Sequence, residues 1–320
     1  MKRKKHKWLK RIVITFLVLI ILTVGAGLSY ATNYLFNFAL NCETGWPSTI
    51  GKPSDDAAKE AISRSRAFFT ENNAQTLSIK SFDGLTLTGY YIPAKEKSSK
   101  LVVLVHGYGG NAQGMSSYAK YYLSKGFNIF APDNRAFGNS DGTYTGMGWL
   151  DRKDIVKWID TLTKKLGPDT QILLHGVSLG GAAVMMTSGE NLPSNVKCII
   201  EDCGYSSVHD EFDYQIGQLF HVPSFPLLNL ASFETSMRLG YSFEDASSVE
   251  AVKKSKTPIF FIHGSADTFV PTKFVYKVYD AAKCPKEIWI VPGAKHAQSF
   301  NVDTQGYEER IEAFYGKYMK

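Results

Sequence analysis

The hydrophobic pattern divides the chain into stretches of different character. Residues 12–31 run Ile-Val-Ile-Thr-Phe-Leu-Val-Leu-Ile-Ile-Leu-Thr-Val-Gly-Ala-Gly-Leu-Ser-Tyr-Ala without a charge, and about 20 apolar residues in helical form match the hydrocarbon core of a bilayer. Residues 32–75 form a juxtamembrane segment, in which 54–69 has the acidic start and spacing of a capped amphipathic helix that spaces or braces the rest of the chain against the membrane. From residue 76 the pattern shortens. Runs at 77–81 and 85–92 flank the Phe82-Asp83-Gly84 turn and predict an antiparallel hairpin. Strand-length apolar runs then recur at 101–105, 128–131, 171–174, 196–200, 258–262 and 287–291, with helical stretches between them. This alternation predicts an α/β fold, a mostly parallel central sheet with helices on both faces. Residues 204–256, rich in Phe, Leu, Pro and Tyr, break the rhythm; they read as a small helical lid or as a plain packing insertion. As a lid, the stretch from His221 to Leu228 would hang apolar side chains over a site beneath.

Charge sharpens the reading of the N-terminus. Of the 36 Lys and Arg in the chain, seven lie in residues 2–11, and the 29 that remain face 30 Asp and Glu. Residues 1–11 are therefore a basic leader, and the rest lacks the electropositive balance of a nucleic-acid-binding protein. With no further basic residue until Lys52, the positive-inside rule puts the N-terminus in the cytoplasm and the remainder outside. The length of the apolar run favours an uncleaved single-pass anchor; a signal peptide cut after Ser29-Tyr30-Ala31, releasing a secreted protein, is the alternative. The four cysteines are scattered without a C-x-x-C pair, which gives no zinc or redox motif and leaves disulfide pairing open.

The candidate chemistry centres on Gly176-Val177-Ser178-Leu179-Gly180, set between an apolar run and the small-residue stretch 179–186. G-x-S-x-G between a strand and a helix is the pattern of a nucleophile elbow, where a tight turn thrusts the serine hydroxyl out of the fold and the helix dipole favours an oxyanion. A serine nucleophile needs a base, and the base an orienting acid. Among seven histidines, His6 is in the leader, His106, His175 and His263 sit at strand ends before glycine, and His209 and His221 fall in the lid stretch. His296 follows the last predicted strand on a Gly-containing loop and is the expected base. Asp267, in the loop after 258–262, is the expected acid, with Asp202 its competitor one strand earlier. The N–H of Leu179 and that of Tyr108, in His106-Gly107-Tyr108-Gly109-Gly110, are the expected oxyanion-hole donors. No P-loop or dinucleotide motif accompanies the glycines.

These blocks, with Asp133-Asn134-Arg135-Ala136-Phe137-Gly138-Asn139-Ser140 and Gly264-Ser265-Ala266-Asp267, resemble the α/β-hydrolase superfamily over about residues 77–318. With the anchor, the chain is similar to bacterial membrane-anchored hydrolases related to prolyl-oligopeptidase-like and serine-aminopeptidase-like groups. Many relatives carry Gly where this chain has Ala136. The resemblance implies a catalytic domain over 76–320 with a Ser178–His296–Asp267 triad, acting through an acyl-enzyme on small to medium acyl esters, with no cofactor or metal. A peptidase acting on amides and a non-catalytic surface-binding protein on the same fold are the alternatives.

Overall fold

A computed structural model describes residues 2–49 and 55–320; Ser54, expected at the start of the juxtamembrane helix, and Lys52 lie outside the described residues. Eight strands form one sheet: β1 (Gln75–Lys80), β2 (Thr86–Ile92), β3 (Lys100–Val105), β4 (Asn128–Pro132), β5 (Gln171–Val177), β6 (Val196–Asp202), β7 (Ile259–Gly264) and β8 (Lys286–Val291). The order is β1-β2-β4-β3-β5-β6-β7-β8. β1 and β2 pair antiparallel, with Leu77 opposite Gly89, and β2 runs antiparallel to β4; the other pairs are parallel. All eight expected runs are strands, shifted by one to three residues at their ends.

The helices are α1 (Lys2–Leu40), α2 (Asp56–Glu71), α3 (Ser116–Ser124), α4 (Asp151–Leu166), α5 (Leu179–Ser188), α6 (Val208–Phe220), α7 (Leu227–Leu239), α8 (Ser248–Val252), α9 (Lys273–Ala281), α10 (Ser299–Val302) and α11 (Thr304–Tyr315). The period of two along β3 explains how they are layered. Val102 and Leu104 face a core shared with Tyr122 of α3 and Phe314 of α11. Leu101, Val103 and Val105 face the opposite core, with Trp158 of α4 and Val278 of α9. Both faces of β3 are buried, which is why its sequence is an unbroken apolar run. α2 starts with Asp55 accepting the Ala58 N–H at 2.8 Å, and its Phe69 is buried in the first of these cores.

A third core lies above the C-terminal ends of the strands and joins α1, α5, α6 and α7 through Phe36, Leu40, Leu179, Val208 and Leu228. Here α1 differs from the expected 20-residue span. It is long and apolar enough to cross a bilayer, and its side chains are exposed from Lys7 to Gly27. It then continues nine residues beyond Ala31, with Phe36 and Leu40 fully buried. Two backbone hydrogen bonds, Cys42 N–H to Thr143 O at 2.8 Å and Thr145 N–H to Leu40 O at 2.9 Å, fasten its end to the domain. The insertion at 204–256 folds as α6 and α7 above the strand ends, followed by α8, which packs against α5 where Gly189 meets Ala251.

Candidate active site

Ser178 stands between β5 and α5 with φ 57° and ψ −119°, a left-handed backbone that L-residues adopt only where the surroundings impose it. The surroundings here are backbone. A Cβ on Gly176 would lie 2.1 Å from Gly180 O, and one on Gly180 would lie 2.0 Å from Val105 O, so both glycines are required for the turn to close against β3. The helix begins at Leu179, directly after the strained residue. Ser178 N–H is held by Asp202 O at 2.8 Å.

The loops after β7 and β8 bring the other two residues to this serine. Ser178 Oγ is 2.8 Å from His296 Nε2, and His296 Nδ1 is 2.8 Å from Asp267 Oδ2. Asp267 is fixed from its other side, where Oδ1 accepts the N–H groups of Phe269 and Val270, each at 2.9 Å. Burial pushes its carboxyl up, but hydrogen bonds from His263 and His296 outweigh this and hold it at about 2, so it is an anion at neutral pH. His263, four residues upstream, approaches Asp267 Oδ2 to 3.3 Å while also bonding Val270 O at 2.9 Å.

The competing acid is elsewhere. Asp202 accepts from Ser299 Oγ at 3.0 Å and Tyr307 OH at 3.1 Å, and burial raises its carboxyl to about 6. Of the other histidines, His106 Nε2 accepts the Asn134 N–H at 3.0 Å and its ring bonds Gly107 O. His175 lies between Tyr122 and Tyr307, and burial depresses it to about 3. His209 and His221 belong to the α6 region, and His6 has no described side chain. All four cysteines are free thiols.

Tyr108 and Leu179 converge on the same place. A Cβ on Gly107 would lie 3.3 Å from Ser178 Cβ, so the turn closed by Gly110 N–H on Gly107 O rests on the elbow. Leu179 opens α5, where the first N–H groups have no intrahelical acceptor. A cavity at Ser178 is lined by both residues and by Trp46, Met147, Phe212 and Phe269. Three of its features have no counterpart in the expected site. The Tyr108 hydroxyl donates to Ala39 O of α1 at 2.5 Å, and the Trp46 ring packs beside Tyr108 and Phe269. Glu211 of α6 also lines the cavity; Gln215 donates to its Oε1 at 2.9 Å, its Oε2 has no partner, and burial raises the carboxyl to about 8. No motif in the sequence announces Trp46, Ala39 or Glu211, since each reaches the site through the packing of a remote helix. Only His263, spaced four residues from Asp267, leaves a local signal.

Among the described residues, one group has the spacing of metal ligands, Cys203, Asp267 and His296, with ligand atoms within 4.8 Å of one another. Burial holds the Cys203 thiol well above its ordinary value. The Asp267 and His296 atoms are already paired with each other.

The strand order, the elbow and the loops at the strand ends match a known architecture. The family model for the alpha/beta hydrolase fold matches residues 100–223. The chain has the α/β-hydrolase fold. Its curated relatives include the uncharacterized protein YqkD of Bacillus subtilis, 25% identical over 246 residues covering 77% of this chain and 80% of the relative. An uncharacterized membrane protein of Saccharomyces cerevisiae is 23% identical over 75% of this chain and 78% of its own length. Among solved structures, an esterase of Pyrococcus furiosus superposes with a TM-score of 0.65 at 22% identity, covering 80% of this chain and 94% of that one. An acylaminoacyl peptidase of Pyrococcus horikoshii superposes with a TM-score of 0.56 at 21% identity over 76% of this chain, but the match spans 40% of the peptidase.

Proposed function

We propose that the protein is a serine hydrolase that cleaves carboxylic esters through an acyl-enzyme. One observation carries the reading: the unbroken relay from Ser178 Oγ through both His296 nitrogens to an ionised Asp267 carboxylate. His296 Nε2 takes the Ser178 proton as Oγ attacks the ester carbonyl, and Asp267 orients the ring and stabilises the imidazolium that forms. The Leu179 and Tyr108 N–H groups stabilise the oxyanion. His296 then protonates the departing alcohol, and water activated by the same imidazole releases the acid.

Esters are favoured over peptide N-termini by the lining of the cavity at the serine. Its one acidic side chain, Glu211, is raised to about 8 by burial, and the rest of the lining carries no charged group to receive an ammonium. The esterase neighbour from Pyrococcus furiosus supports the same choice. The basic leader and α1 support a protein anchored in the cell membrane with its N-terminus cytoplasmic and its catalytic domain, residues 76–320 with a lid at about 204–256, outside; one relative is named a membrane protein.

The test is covalent labelling of purified full-length protein by a fluorophosphonate, together with hydrolysis of p-nitrophenyl butyrate and of aminoacyl p-nitroanilides. Ser178→Ala is expected to abolish labelling and to lower ester turnover by at least about 10⁴-fold. Labelling of the Ala variant, or turnover equal to wild type, would refute the assignment, and faster anilide than ester hydrolysis would turn it toward a peptidase.

A further inference from the structure

The cavity at Ser178 does not end at the serine. It meets a second cavity at Trp46, Phe212 and Gln215. The walls of this second space come from three helices: Leu35, Phe38 and Ala39 of α1, Ile216 and Leu219 of α6, and Ala231 of α7, and they are almost wholly apolar. Such a lining penalises polar groups, which find no hydrogen-bond partner in it, and favours hydrocarbon.

Its position along α1 indicates where the hydrocarbon comes from. Leu35 and Phe38 lie four and seven residues beyond the apolar run that ends at Ala31, about 6 and 10 Å of helix rise, which spans a headgroup layer about 5–8 Å deep and its outer edge. The lid continues the apolar surface of α1. Away from α1, eight large hydrophobic side chains are exposed among the described residues, and five of them, Leu219, Val222, Phe225, Phe233 and Met237, fall within 19 residues of the α6–α7 region. Phe233 and Met237, 65% and 71% exposed, line a groove against the stretch of α1 from Gly25 to Asn33, within the membrane end of the helix. Exposed apolar surface continuous with a bilayer-length helix is surface that lipid covers.

We propose that the end of α1 and the α6–α7 pair form an acyl channel that opens toward the bilayer, so that the substrate is an ester of a membrane amphiphile whose long acyl chain slides from the outer leaflet past Leu35 and Phe38 to Ser178. The proposal rests on the serine-hydrolase reading and deepens it. The anchor is then a wall of the substrate site, and the Tyr108–Ala39 hydrogen bond fixes that wall to the loop bearing an oxyanion donor.

The experiment uses full-length protein in phosphatidylcholine vesicles and p-nitrophenyl esters from acetate to palmitate. For wild type, kcat/KM is expected to rise by up to about fourfold per methylene as the channel fills. Leu35→Trp, which narrows the channel, is expected to lower the laurate-to-acetate ratio of kcat/KM at least tenfold. The double variant Phe233→Glu with Met237→Glu, confined to exposed positions, is expected to lower the rate on palmitate ester embedded in vesicles at least tenfold relative to butyrate ester in solution. A flat chain-length profile, or unaltered ratios in both variants, with fluorophosphonate labelling intact, would overturn the channel. Loss of labelling and of acetate turnover in wild type would instead overturn the hydrolase reading on which it rests.

Discussion

Two buried carboxylates at the ends of neighbouring strands have opposite characters. Asp202 closes β6 and Asp267 lies three residues past β7, and both are candidates for the acid of the site. Two hydroxyls serve Asp202, and burial keeps its carboxyl near 6. Two backbone N–H groups and two imidazoles serve Asp267 and hold it near 2 in spite of burial. Hydroxyl donors compensate a buried charge incompletely; amide donors and a partner able to become cationic compensate it fully. The difference suits Asp267 to stabilise an imidazolium and Asp202 to tie Ser299 and Tyr307 to the sheet.

Asp267→Asn is the largest perturbation of this contrast. It should leave the fold intact and lower ester turnover by about 10⁴-fold at pH 7, read as kcat with p-nitrophenyl butyrate, because the histidine loses its orienting anion. A loss below tenfold would show that Asp202 or another acid serves His296.

The pH dependence of stability separates the two carboxylates by sign. Asp202 binds its proton more tightly folded than unfolded, so its contribution is fully present below 3.8 and is lost as pH rises through about 6, a span worth about 3 kcal/mol. Asp267 is depressed, so its contribution is present above 3.8 and is lost as pH falls toward about 2. Asp202→Asn should therefore reduce the loss of thermal stability between pH 4.5 and pH 8 by about 2 kcal/mol, while changing turnover by less than tenfold. An unchanged pH profile of the melting temperature would contradict this. The smallest effect is expected of His263→Gln, which removes one of the two imidazoles at Asp267. Turnover should fall about tenfold or less, and the acid loss of stability should begin at higher pH as the Asp267 carboxyl moves back toward its ordinary range. A loss as large as that of Asp267→Asn would make His263 a full member of the relay.

Much of this architecture was legible because its signals are local. A strand buried on both faces must be an apolar run, as β3 is, and an elbow must carry glycine where backbone approaches backbone, as at Gly176 and Gly180. The chain order of Ser178, Asp267 and His296 is also a linear property. Ala136, with φ 65°, lies in the left-handed region that the glycine of many relatives would occupy without strain. Less accessible were the choice between Asp202 and Asp267, which depends on which loop faces His296, and the end of α1, which hydropathy alone assigns to a span finishing at Ala31.

The sequence by itself determined the order of the strands along the chain, the residues able to form the relay, and an apolar segment of bilayer length, because each rests on periodicity, glycine sterics or side-chain type at fixed spacing. Only the tertiary structure decided that Phe36 and Leu40 of the same helix are core residues, that Trp46 and Glu211 line the cavity over Ser178, and that α1 shares an apolar wall with α6 and α7. Those facts arise from contacts between residues far apart in the chain. They are set by how helices of given length pack over the ends of a twisted sheet, which no local pattern encodes.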